Sequence, residues 1–186
     1  GLLNWNSYPS LLNCSISIAS WSSPLPETEK DDLELIRELQ KKDSVEDVEA
    51  ELPGFEGKNH FYTNTGRASL YIILKALDFQ EEDEVILQSF TCMAVVVPLL
   101  WLNCKPVYAD IDPDTYNISL QSIKNRIRSN TRAVIVQHTF GIPSEIEEIR
   151  DYIDRLNKER QERIYLIEDC AHALNIKLGS KYLGSF

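Results

Sequence analysis

In IYLIEDCAHAL, residues 164–174, four apolar residues (Ile164, Tyr165, Leu166, Ile167) run directly into Glu168 and Asp169. A small-residue stretch holding Cys170 and His172 follows. Carboxylates at the carboxyl end of a buried strand are costly unless something there needs them. A second candidate is TNTGRASL, where Thr65 is a good N-cap, Gly66 permits close backbone approach, and an apolar helical stripe begins at Leu70. The amides of Gly66, Arg67 and Ala68 would lie at the positive end of that helix, a ready anion site to which Arg67 adds a guanidinium. An ordinary capped helix start explains the same residues.

Three further stretches end apolar runs. QSFTCMAV places Phe90, Cys92 and Met93 at the top of a helix, where they would either pack over a flat ring or join the core. ADIDPD offers Asp110, Asp112 and Asp114, but Asp-Pro-Asp is a turn sequence and no further ligands follow at calcium-loop spacing, so no metal is expected. QHTFG brings His138 and Phe140 to the same rim, and a lone His there reads as a satisfied structural residue. The chain has no G-x-G-x-x-G and no Walker sequence, which disfavours a dinucleotide or a nucleoside triphosphate.

The elements that must position these residues alternate from residue 60 onward. Short apolar runs predict strands at Phe61-Tyr62, Val85–Leu87, Val107–Ala109, Ala133–Val136 and Ile164–Ile167. Helical stripes lie between them: Leu70, Ile73, Leu74 and Leu77; Ile118, Ile123 and Ile127; Ile146, Ile149, Ile153 and Leu156. Met93 to Leu102 is expected to be helical too, kinked by Pro98. Strict alternation predicts an α/β fold, a mainly parallel sheet covered on both faces in three layers. Ligands on such sheets bind beyond the carboxyl ends of the strands, where the candidate residues fall.

At 186 residues the chain is long enough for one sizeable domain, burying roughly 70% of its unfolded surface. A net charge of −10 argues against nucleic acid or an anionic membrane as partner. Cys14, Cys92, Cys104 and Cys170 form no C-x-x-C pair and read as reduced thiols of a cytoplasmic protein. The longest apolar run, Met93 to Leu102, is too short to span a bilayer. Three regions are expected: an unassigned segment 1–26, an amino-terminal helical segment 27–60, and a domain over 61–186.

Taken in order, NTGRASL, DEVILQSFTCMAVVVPLLWLNCKPVYADIDPDTYNI, AVIVQHTFGIP and IEDCAHALNIKLGSKYLGSF carry a resemblance over roughly residues 31–186. The chain resembles the sugar aminotransferases of the DegT/DnrJ/EryC1/StrS family, pyridoxal-phosphate enzymes of fold type I. DLELIREL and VEDVEAELPGFEGKNHFYTN look like the family's amino-terminal helices leading into the first strand. The resemblance implies the cofactor pyridoxal 5′-phosphate, with Asp169 pairing with its pyridine nitrogen and His172 contacting its ring hydroxyl. It puts Gly66 and Arg67 at the phosphate, and Cys92 where many members stack an aromatic on the ring.

The implied reaction moves an amino group from an amino acid donor such as glutamate to a nucleotide-linked keto-sugar, in a homodimer. In the family the Schiff-base lysine lies a short way beyond the GSF motif, so it is expected outside this chain. Lys181, in LGSKYLGSF, matches a structural hairpin instead. The expectation is therefore a truncated large domain of a larger protein, inactive alone. A sugar dehydratase of the same family, or a non-catalytic binding or sensory member, are the alternatives.

Overall fold

A computed structural model of the chain describes Ser15–Ile16, Thr63 and residues 65–186. The strand expected at Phe61-Tyr62 and the amino-terminal helices lie outside the described residues. Among the described residues five parallel strands form the sheet: β1 (Ser15–Ile16), β2 (Glu84–Gln88), β3 (Lys105–Ala109), β4 (Thr131–Gln137) and β5 (Tyr165–Asp169), in the order β1-β5-β4-β2-β3. Four helices among the described residues accompany them: α1 (Gly66–Ala76), α2 (Met93–Trp101), α3 (Leu120–Arg126) and α4 (Ile146–Asn157). A short antiparallel hairpin, β6 (Lys177–Leu178) and β7 (Lys181–Tyr182), closes the described chain.

Alternation along the strands splits the core in two. Val85, Leu87, Ala133, Ile135 and Ile167 point to one face and pack with Leu70 and Leu74 of α1 and with Val95, Val96 and Leu99 of α2. Ile86, Val134 and Val136 point to the other, against Ile123 of α3 and Ile146, Ile149 and Ile153 of α4. The sheet is thus covered on both sides, as the near-continuous apolar strands require. Burial of side chains such as Leu74, Leu99, Ile123 and Ile153 contributes about 1.5–3 kcal/mol each.

Local signals set the helix ends. Thr65 caps α1, its Oγ1 accepting from Ala68 N–H at 3.1 Å. Ser119 caps α3. α4 carries Glu147 and Glu148 in its first turn and Arg155 in its last, complementing its dipole. α2 runs from Met93 to Trp101 with Pro98 inside it, as expected. Two details differ from the sequence-based expectation. Ile118 lies outside α3, in an isolated bridge with Ile111, although it is fully buried. β5 begins one residue after Ile164 and includes both carboxylates. Ser15–Ile16, in the segment given no assignment, pairs with Glu168 and Asp169 at the outer edge of β5.

Candidate active site

Because β5 runs through Glu168 and Asp169, these neighbours face opposite sides of the sheet. Ile164 and Leu166 belong to the α3–α4 side, and Glu168 follows them; Ile167 belongs to the α1–α2 side, and Asp169 follows it. Glu168, 2% exposed, accepts from Gly184 N–H at 2.8 Å and Phe186 N–H at 2.9 Å, with His138 Nε2 at 3.2 Å. It holds the end of the hairpin segment against β5. His138 is correspondingly buried and structural, its Nδ1 accepting from Ser144 N–H at 3.2 Å.

Asp169 is 6% exposed and accepts two hydrogen bonds, from Ala171 N–H and from Gln137 Nε2, both at 3.0 Å. Burial pushes its carboxyl above the ordinary value, opposed by those two hydrogen bonds and by the imidazoles of His172 and His138. A desolvated carboxylate with this few donors favours a cationic partner. Gln137 ends β4, and its Oε1 accepts from Thr91 Oγ1, just before α2. A polar chain therefore runs from the β2–α2 loop across β4 to β5. The sheet's topological switch lies here: the chain leaves β2 for β3 on one side and returns to β4 on the other. Crevices at such points are where open α/β sheets bind ligands.

His172 is exposed at the same rim, stacked on Phe140 with 3° between the ring planes and centroids 5.9 Å apart. Phe90, Tyr116 and Phe140 form an exposed aromatic group, with ring centroids 5.5–6.2 Å apart. Phe90 and Met93 therefore lie outside the core, as does Cys92, the exposed N-cap of α2. Among the described residues the N–H groups of Gly66 and Arg67 donate to no acceptor, whereas Ala68 N–H donates to Thr65 Oγ1. Among the described residues no hydrogen bond or ion pair joins Arg67 to Asp169. Asp112 forms a turn, its Oδ1 accepting from Asp114 N–H and Thr115 N–H.

His138, Glu168 and Cys170 bring ligand atoms within 4.8 Å of one another. Glu168 already has three protein partners and burial pushes the Cys170 thiol up, so this cluster is poorly suited to a cation. Lys177 and Lys181 are exposed on the hairpin, lying over the rings of Tyr182 and Phe186. Sequence reasoning missed Gln88, Thr91 and Gln137. The signal was present for two of them: each glutamine ends an apolar run, as the acidic pair does.

Comparison with known proteins adds to this geometry. Residues 29–186 match the DegT/DnrJ/EryC1/StrS aminotransferase family. GDP-perosamine synthase of Vibrio cholerae is 31% identical over 76% of this chain and 37% of its own length. UDP-N-acetyl-3-dehydro-alpha-D-glucosamine 3-aminotransferase of Acidithiobacillus ferrooxidans is 30% identical over 75% of this chain and 36% of its own length. The crystal structure of NtdA from Bacillus subtilis, with bound cofactor PMP, superposes with a TM-score of 0.54 at 27% identity, covering 61% of this chain and 25% of that one. The chain thus spans little more than a third of the length of these two curated relatives, and a smaller share of others that it matches.

Proposed function

The chain belongs to the DegT/DnrJ/EryC1/StrS aminotransferase family, and from that premise we propose that its rim holds pyridoxal 5′-phosphate for transamination of a nucleotide-linked keto-sugar, as part of a larger protein. Relatives named as makers of GDP-, UDP- and dTDP-linked amino sugars support the substrate class. An amino acid, glutamate foremost, serves as donor. On the same reading residues 61–186 are part of the cofactor-binding large domain, and the complete protein is a cytoplasmic homodimer without a nucleic-acid or membrane partner.

The observation that carries the proposal is Asp169: a buried carboxylate at the end of β5, desolvated and held by two donors. The cofactor, when bound, supplies a pyridine ring that withdraws electrons from the carbon losing its proton. Asp169 keeps a proton on the ring nitrogen, favouring the cationic form by about 1–3 pK units. Gln137 and Ala171 N–H orient the carboxylate for that role. Gly66 and Arg67 offer unoccupied amides to the phosphate at the start of α1. His172 donates to the ring oxygen. Cys92 lines the ring's face with less surface than an aromatic would.

The proposal is tested with Asp169→Asn in the full-length protein. Cofactor binding, read by absorbance titration, should persist, while single-turnover amino transfer falls by roughly 10- to 1,000-fold, the equivalent of that pK change. Transfer at the parental rate would remove Asp169 from this role. Weakened cofactor affinity is expected in Gly66→Val, because a branched side chain obstructs the backbone's approach to a phosphate.

A further inference from the structure

We infer that the turn Thr139–Gly141 is a positioning device for His172, holding its imidazole with the proton on Nε2 and so making it a hydrogen-bond donor on the rim. Phe140 N–H lies 3.3 Å from His172 Nδ1. A backbone amide can only donate, so Nδ1 is the acceptor and the neutral ring carries its proton on Nε2. The parallel ring of Phe140 fixes the plane in which that Nε2–H points.

The backbone is held in an unfavourable conformation to achieve this. Phe140 sits at φ 54°, a left-handed conformation disfavoured for residues with a Cβ. Burial does not offset it, since Phe140 is 63% exposed. Gly141 follows at φ 81°, and a Cβ there would lie 2.7 Å from Ile176 Cδ1 and 3.1 Å from His172 O. The turn therefore touches the backbone of the residue it orients. Its root is fixed by buried groups: Thr139 N–H donates to Asn117 Oδ1 at 2.8 Å, and Thr139 Oγ1 accepts from Gln88 Nε2 at 2.9 Å.

His138 provides an internal parallel. Its Nδ1 also accepts from a backbone amide, that of Ser144, and its Nε2 meets Glu168. Both imidazoles are thus set by main chain. The buried one uses its Nε2–H on Glu168, whereas among the described residues no protein acceptor takes that of His172. The result is a directed donor near Asp169, suited to an acceptor oxygen on an aromatic ring. Identifying that oxygen as the ring oxygen of pyridoxal phosphate rests on the function proposed above.

The test reads the tautomer directly, in the full-length protein without cofactor. Long-range 1H–15N correlation of histidine-labelled protein reports the Nε2–H to Nδ1–H ratio, and the His172 signals are assigned by their loss in His172→Gln. The Nε2–H to Nδ1–H ratio should exceed that of the urea-unfolded chain by about five- to tenfold, the effect of one ordinary hydrogen bond. Gly141→Val, which displaces the turn, should return the ratio to the unfolded value. If that variant does not fold, Phe140→Gly, which keeps the amide and relieves the backbone but removes the stacked ring, should lower the excess. A parental ratio equal to that of the unfolded chain, or a reversed one, overturns the inference. So does a parental ratio in a folded Gly141→Val. The raised ratio in a protein that binds no pyridoxal phosphate would instead overturn the cofactor reading and leave the positioning role standing.

Discussion

Glu168 turns toward the α3–α4 side of the sheet, where two main-chain amides and the imidazole of His138 reach its carboxylate. Asp169, one residue on, turns toward the α1–α2 side and receives two donors under comparable burial. The difference teaches how a single strand end divides its labour. Parity alone sends one acid into a saturated structural knot and presents the other, less satisfied, at the switch-point crevice. Burial by itself does not mark a functional carboxylate; on the function proposed above, Asp169 differs from Glu168 in having fewer donors and in facing the switch-point crevice.

The comparison breaks most sharply at Glu168. Replacing it by Ala leaves Gly184 N–H, Phe186 N–H and His138 without their acceptor, and should destabilise the full-length protein by about 3–5 kcal/mol in urea unfolding. A loss under about 1 kcal/mol would mean that the knot does not hold the hairpin segment. His138→Leu removes one donor and spares both amides, so a smaller loss of about 1–3 kcal/mol is expected in the same measurement. On the other face, Thr65→Ala removes the cap that takes Ala68 N–H and should cost about 1 kcal/mol, without affecting the Glu168 knot.

A pH-dependent effect concerns Asp169 itself. Burial raises its folded-state pKa above the unfolded value, so between the two values the folded protein retains a proton that the unfolded chain loses. This group's contribution is therefore most favourable below the unfolded value, about 4, and declines as pH rises through the folded value. Cofactor-free parent should lose stability relative to Asp169→Asn across that interval and run parallel to it above. Urea midpoints collected from about pH 3 to about pH 7 would show it. A parent that gains on the variant as pH rises would contradict the desolvated carboxylate.

Much of this was legible from residue types. Apolar runs located β2 to β5, and the polar residues ending them located the rim, because a buried strand tolerates polarity only where it meets a partner. The ends of elements were less legible: Ile164 and Ile118 continue the apolar pattern but fall outside β5 and α3, since core membership outlasts regular hydrogen bonding. What pattern could not supply was tertiary return. The amide partners of Glu168 lie sixteen and eighteen residues downstream, beyond a hairpin. The stacking of Phe140 on His172 joins positions 32 apart through a left-handed backbone that no residue in QHTFG announces except Gly141. The pairing of Ser15–Ile16 with β5 had no signal in a segment without charge or clear period.

The cysteines carry a practical consequence. Burial pushes the Cys104 thiol up to about 11 and the Cys170 thiol higher still, while Cys92 stands exposed at the mouth of α2. Among the described residues, a maleimide or iodoacetamide reagent near neutral pH should therefore modify Cys92 alone, because thiolate and access are both withheld at the other two. A fluorophore attached there would sit beside the crevice, and its emission would turn a residue with little covering surface into an optical reporter of whatever enters.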